Sequence, residues 1–182
     1  MGKLTALKIE CWNRIGLKNH VLELNLFLSN HDIDVTLISE SHLKYNSKIQ
    51  FKGYTLYHTP YPGNKARGGA AILIKSNINH YHLPSVQEKY LQSSSIKLLN
   101  ANNEIAITAA YFPPKCPITI EQYKHFFQSQ GNRFIVGGDF NAKHTHFGSR
   151  TTTTKGRRLL QVINEQVLIV KSTNKPTYWP SN

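Results

Sequence analysis

The sequence predicts an α/β fold, and three observations carry that prediction. Apolar runs of strand length, among them residues 35–39, 70–75 and 134–136, alternate with segments whose apolar residues recur at helical spacing. The runs are bounded by Gly, Pro, Asn and Ser, the residues that turn a chain. Polar side chains stand where four strands end: Asn13, Glu40, Tyr111, and Asp139 with Asn141. The chain has 182 residues, 40% of them hydrophobic. That suffices for one domain with a sizeable core, expected to span residues 1–182.

Leu4, Ala6, Leu7, Ile9 and Cys11 make residues 4–12 a first strand, with Asn13 at its exit. Leu17, Val21, Leu24 and Leu28 then recur at helical spacing, Leu22 and Leu26 widening the stripe, and the helix ends within residues 30–34. Residues 35–39 form a buried strand with Glu40 at its exit, and residues 54–58 a short strand. Residues 61–69, Y-P-G-N-K-A-R-G-G, read as a loop carrying Lys65 and Arg67. Residues 70–75 are an apolar strand, and residues 78–83 pair back on it through Ser76 and Asn77. Residues 90–99 and 105–112 make a second hairpin across residues 100–104. Tyr111 closes it ahead of Pro113 and Pro114, which cannot continue a sheet interior.

Ile120, Tyr123 and Phe127 mark a helix capped by Thr119. The buried strand 134–136 follows, and Gly137 and Gly138 turn the backbone tightly after it. Thr154 caps a helix over 155–165, with Leu159, Val162 and Ile163 facing in. Residues 168–171 read as a last strand. Trp12 and Trp179 read as core or edge packing.

The charge balance is 22 Lys and Arg against 10 Asp and Glu, a net of +12. A fold does not need that excess. It favours a polyanionic partner, nucleic acid before an anionic membrane surface. Arg150, Lys155, Arg157 and Arg158 cluster near a helix start, and one of the last two reads as packing across the helix. Cys11 and Cys116 lie far apart, outside any C-x-x-C, and read as reduced thiols of an intracellular protein. The sequence opens without a long apolar run, so neither signal peptide nor membrane span is expected.

The stretch F-I-V-G-G-D-F-N-A-K-H-T-H, residues 134–146, concentrates the chemistry. Asp139 and Asn141, two apart at a strand end, point the same way. A carboxylate there can take a proton from water, and a carboxamide can hold an oxyanion. Lys143 and His144 just downstream suit an anionic substrate. Taken alone, the same string also reads as a turn. His144 and His146, without a third ligand in view, make a poor zinc pair.

The order I-E-C-W-N, L-I-S-E-S-H-L, A-A-Y-F-P-P and G-G-D-F-N-A-K-H resembles the endonuclease/exonuclease/phosphatase superfamily. More narrowly, K-A-R-G-G-A-A-I-L-I, H-T-H-F-G-S-R, G-R-R-L-L and P-T-Y-W-P resemble the apurinic-type endonuclease domain of jockey-like non-LTR retrotransposons. The resemblance implies a deoxyribonuclease I-like α/β sandwich of two sheets with flanking helices and the site at one edge. It implies that Glu40 binds a metal ion, magnesium with manganese as a substitute, in a region that Asn13 supports. Tyr111 then contacts the scissile phosphate, Asp139 orients or deprotonates the attacking water, and Asn141 holds the phosphate. Lys65, Arg67, Lys143, His144 and Arg150 are expected on the DNA.

The same resemblance implies a nick in double-stranded DNA that leaves a 3′-hydroxyl for target-primed reverse transcription. The remainder of a polyprotein, including a reverse transcriptase, is then a partner; a membrane is not, and the place of action is intracellular, in the nucleus. The family closes its site with an S-D-H motif that this sequence lacks. The expectation is therefore a domain incomplete at its C-terminus, missing its last strands and weak or inactive in isolation. The alternatives are a cellular repair endonuclease for abasic sites, a phosphatase for inositol phosphates or lipids, and an inactive nucleic-acid-binding relic.

Overall fold

The computed structural model describes residues 6–99 and 104–171. They fall into two compact units, one of the chain up to Pro113 with Gly131–Phe140, the other of Pro114–Gln130 with the chain from Asn141.

Among the described residues the larger unit holds two four-stranded sheets. β1 (Ile9–Asn13), β2 (Val35–Ser39), β3 (Tyr54–Tyr61) and β4 (Lys65–Lys75) lie in the order β1-β2-β4-β3. β5 (His80–Glu88), β6 (Leu91–Leu98), β7 (Ile105–Tyr111) and β8 (Phe134–Asp139) lie in sequence order. Among the described residues β1–β2 and β7–β8 pair in parallel and the other pairs are antiparallel. Side chains of a strand alternate between faces, and β2 and β4 are apolar on both. Val35, Leu37, Ala70, Ile72 and Ile74 pack against Ile96, Leu98, Ile107 and Ala109 of the second sheet. Ile38, Ala71 and Leu73 face the other way, onto Leu17, Leu24 and Leu28 at and before helix α1 (Val21–His31). Covering on both faces is what requires continuous apolar runs, and it yields the expected two-sheet α/β sandwich.

Several expectations are corrected. Leu22 and Leu26 do not widen the buried stripe but are 86% and 64% exposed. Two residues along a helix is roughly 200° around it, so they stand opposite Leu24. Residues 61–69 are not a loop: Tyr61 pairs with Lys65 across a three-residue turn, and Lys65 and Arg67 belong to β4. The strand at residues 54–58 accordingly runs on to Tyr61. Residues 78–83 do not pair back on β4, because β2 and β3 already occupy both of its edges. β5 joins β6 in the other sheet instead.

Gly137 and Gly138 do not turn the chain; they continue β8 in register with Ala109 and Ala110. A Cβ on Gly138, at φ 143°, would meet the Ala110 carbonyl oxygen at 1.9 Å. Glycine serves close approach here. Residues 134–136 are only partly buried, Ile135 being 38% exposed. Residues 168–171 form no strand among the described residues, since an apolar run becomes one only where a sheet edge takes up its backbone groups. Leu4 of the first predicted strand, residues 100–103 of the 100–104 turn, Trp179 and P-T-Y-W-P lie outside the described residues.

The smaller unit carries α2 (Ile120–Gln128) and α3 (Thr154–Glu165). Thr119 caps α2 in a reciprocal capping box with Gln122. Thr153, not Thr154, caps α3, its hydroxyl accepting from the Gly156 N–H at 3.1 Å. Lys124 and Glu165 pair at 2.6 Å, and Arg158 donates to the Ile118 carbonyl at 2.7 Å. Arg158 is thus the arginine that packs across the helix. No helix among the described residues is long and apolar enough to cross a membrane.

Candidate active site

The site is built where β1, β2, β7 and β8 end. Val35, Leu37 and Ser39 share one face of β2, so Ser39 points where an apolar residue is expected. A buried hydroxyl needs partners, and this one has two. It donates to the Ala110 carbonyl at 3.1 Å and accepts from the Asp139 N–H at 2.8 Å. Ser39 therefore ties the end of the first sheet to both β7 and β8. The Phe112 N–H donates to the Asp139 carbonyl at 2.9 Å, and Phe112 stacks on Phe140 with ring centres 4.8 Å apart. The backbone of Asp139 is held from two sides.

Glu40 follows Ser39 with left-handed backbone, φ 54°, and His42 repeats it at 53°. For side chains with a Cβ such conformations cost about 1–3 kcal/mol each and persist only where surroundings enforce them. Four backbone hydrogen bonds do so: Gly16 N–H to Glu40, Leu17 N–H to Ser41, and the Ser41 and His42 N–H groups to Gly69 and Gly68. Gly69 in turn donates its N–H at 3.1 Å to the amide of Gln92, a fully buried side chain. At φ 81°, a Cβ on Gly69 would come within 2.9 Å of the Ser41 hydroxyl.

Asn13, the last residue of β1, brings the carboxylates together. Its amide donates to Asp139 Oδ2 at 2.9 Å and also hydrogen-bonds Glu40. Burial raises the Glu40 pKa above its ordinary range, the nearby charge of Asp139 adds to this, and the Asn13 hydrogen bond opposes it. His42 Nε2 lies 3.9 Å from Glu40 Oε2. Burial lowers the His42 pKa, which disfavours a charged imidazolium beside Glu40. Tyr111 ends β7 in register with Asp139, buried beside Gln92 and Gly68.

Asn13, Glu40, Asp139 and Tyr111 are thus gathered in the larger unit, with Ser39, His42 and Gln92, which sequence reasoning missed. A signal for Ser39 existed: a polar residue in register with Val35 and Leu37. The other expected site residues are placed as follows. Arg67 stacks its guanidinium over the Tyr61 ring at 4.1 Å, and Lys65 is exposed at the start of β4. Asn141, with φ 46°, lines a groove of about 470 Å³ in the smaller unit together with Lys115, Thr153, Lys155 and Arg158. The Lys143 carbonyl accepts from the Thr153 N–H at 2.9 Å. His144 Nδ1 accepts from the His146 N–H at 3.0 Å, capping a short turn. Arg150 is exposed.

A divalent cation fits the carboxylate pair. Two acidic groups face one amide, and burial first, then the Asp139 charge, raise the Glu40 pKa, so a cation there would favour its charged form. Among the described residues no three His, Cys, Asp or Glu side chains converge on one point.

Comparison with known proteins agrees with this architecture. Residues 105–182 match a family described as endonuclease-reverse transcriptase. The chain is 36% identical over 177 residues to the RNA-directed DNA polymerase from mobile element jockey of Drosophila melanogaster, aligning 97% of this chain with 19% of that protein. It is 31% identical over 178 residues to the probable RNA-directed DNA polymerase from transposon X-element of the same fly, with 97% and 20% aligned. The chain spans about a fifth of the length of the curated relatives it matches.

Among solved structures, the endonuclease domain of TRAS1, a telomere-specific non-LTR retrotransposon, superposes with a TM-score of 0.68 at 23% identity, covering 88% of this chain and 70% of that one. AP endonuclease LMAP from Leishmania major gives 0.64 at 15% identity, covering 88% and 66%. Fold and relatives together define a nuclease-type domain of the endonuclease/exonuclease/phosphatase superfamily. In sequence the chain is similar, along 97% of its length, to about a fifth of the length of the jockey-type RNA-directed DNA polymerases. Nucleases of this superfamily generally use divalent metal ions.

Proposed function

We propose that the chain is a magnesium-dependent endonuclease domain that nicks double-stranded DNA and leaves a 3′-hydroxyl for reverse transcription. One observation carries the reading: carboxylates from two different sheets, Glu40 and Asp139, converge on the amide of Asn13. Glu40 holds the ion, with Asn13 fixing the carboxylate. A bound magnesium ion supplies positive charge to the phosphate and to the leaving oxygen. Asp139, its backbone clamped by Ser39 and Phe112, orients the attacking water and accepts its proton. Tyr111 donates to a non-bridging oxygen as charge builds. The similarity to jockey-type polymerases supports a longer polypeptide whose reverse transcriptase extends the nicked end.

The test is conversion of supercoiled plasmid to open circles with protein in excess, in magnesium and in chelator, followed by polymerase extension of the nick. Extendable nicks that need magnesium and vanish in Glu40→Gln and Asp139→Asn are expected. Magnesium-dependent nicks that survive both substitutions would overturn the reading. Cleavage confined to abasic duplex would replace it with a repair endonuclease.

A further inference from the structure

A second groove, of about 410 Å³, opens in the larger unit beside the carboxylates, lined by Lys18, His42, Lys44, Ser47, Lys48 and Ala66. It shares His42 with the site, whose ring stands 3.9 Å from Glu40. Its lining contains three lysines and no acidic residue. Among the described residues none of those lysines enters an ion pair, although Lys75, Lys97 and Lys124 do. Three ammonium groups lining one groove without a carboxylate make it a place that favours an anion.

The groove's walls are fixed. The Lys44 N–H donates to the Ser47 hydroxyl at 2.8 Å, and the Ser47 N–H donates back to the Lys44 carbonyl at 2.9 Å. The Tyr45 N–H donates to Asn64 at 2.8 Å and its hydroxyl to Gln87 at 2.5 Å, stapling this loop to β5 and to the β3–β4 turn. Leu43 anchors the loop in the core. Lys18 comes from the short helical turn before α1. The lysine stems thus leave ordered backbone, which lowers the entropy cost of engaging their charged ends.

We infer that Lys18, Lys44 and Lys48 hold the sugar–phosphate backbone of the DNA strand where it runs away from the Glu40–Asp139 site. This rests on the endonuclease reading and adds a binding track to it. Lys65 and Arg67 flank Ala66 in the strand, so by alternation they stand on the face opposite the groove. The inferred track therefore differs from the contacts expected from the sequence. Lysine contacts of this kind supply affinity without reading bases.

The experiment is duplex binding measured by fluorescence anisotropy in chelator across a series of salt concentrations. The parental chain is compared with Lys18→Ala/Lys44→Ala/Lys48→Ala, with single Lys48→Glu, and with a charge-matched control, Lys52→Ala/Lys89→Ala/Lys171→Ala. Removing one lysine–phosphate interaction lowers the steepness of log K against log salt by about 0.9. The groove triple is therefore expected to reduce the slope by about 2–3 units, and the control by less than about one. Lys48→Glu, which tests one exposed position without risk to folding, is expected to weaken binding at low salt and to show no such effect at high salt. An unchanged slope in the triple, or an equal reduction in the control, overturns the inference. If the parental chain binds and nicks while the triple keeps its slope, only the groove assignment falls. A parental chain that neither binds nor nicks removes the underlying reading as well.

Discussion

Replacing Ser39 with alanine tests how the site is attached to the fold. The hydroxyl is fully buried, accepts from the Asp139 N–H at 2.8 Å and donates to the Ala110 carbonyl at 3.1 Å. Stripping a buried N–H of its acceptor costs about 1–3 kcal/mol, and losing an ordinary hydrogen bond adds about 0.5–1.5. The expected destabilisation is about 2–4 kcal/mol. With a urea m-value of about 2 kcal/mol/M, the unfolding midpoint falls by about 1–2 M. Thr36 supplies the contrast: it lies in the same strand, is equally buried, and its hydroxyl has no hydrogen-bond partner among the described residues. Thr36→Val is therefore expected to leave stability unchanged or raise it by up to about 1 kcal/mol. Nicking should slow in Ser39→Ala and stay at the parental rate in Thr36→Val. A Ser39→Ala chain that unfolds within about 0.5 kcal/mol of the parental one, or a Thr36→Val chain harmed as much, would refute the role of Ser39.

Three further outcomes are expected. Asn13→Ala releases both carboxylates from their shared donor, and manganese affinity by calorimetry should drop about 10–100-fold; undiminished affinity would exclude a supporting role for Asn13. Burial, and then the charge of Asp139, raise the pKa of Glu40 above its ordinary 4.5. The folded chain thus binds more protons than the unfolded one between 4.5 and the raised value, and stability falls as pH climbs through that window. Glu40→Gln removes the penalty: without metal it should melt higher than the parental chain at neutral pH, with the gap closing on acidification below 4.5. A gap that widens in acid contradicts this assignment. Gly138→Ala drives a Cβ to within 1.9 Å of the Ala110 carbonyl oxygen, and should cost about 3 kcal/mol or more in denaturant titrations; a near-neutral variant would show that β8 and β7 do not approach so closely.

Much of this is legible without coordinates. Asn13, Glu40, Tyr111 and Asp139 show themselves as polar residues ending apolar runs, and strand ends are where an α/β sheet gathers such groups. Thr119 announces its cap through Gln122 three residues on. The departures have local causes. Residues 61–69 are rich in turn formers, but only three of them turn, because β4 needs the remainder to reach its partner. Residues 78–83 pair by proximity with the nearest strand in sequence, yet both edges of that strand are already filled in the fold. Gly137 and Gly138 read as a turn because a sequence records the missing Cβ and not the carbonyl that takes its space.

Composition and periodicity, being properties of single stretches, were enough to set the α/β class, the basic character and the acidic residues at the strand exits. Which of those exits meet was decided only by the packing of one sheet on the other. Ser39 became a clasp, Asn13 a bridge between carboxylates, and Lys18 a neighbour of Lys44 and Lys48 because the folded chain closes distances that local pattern cannot span.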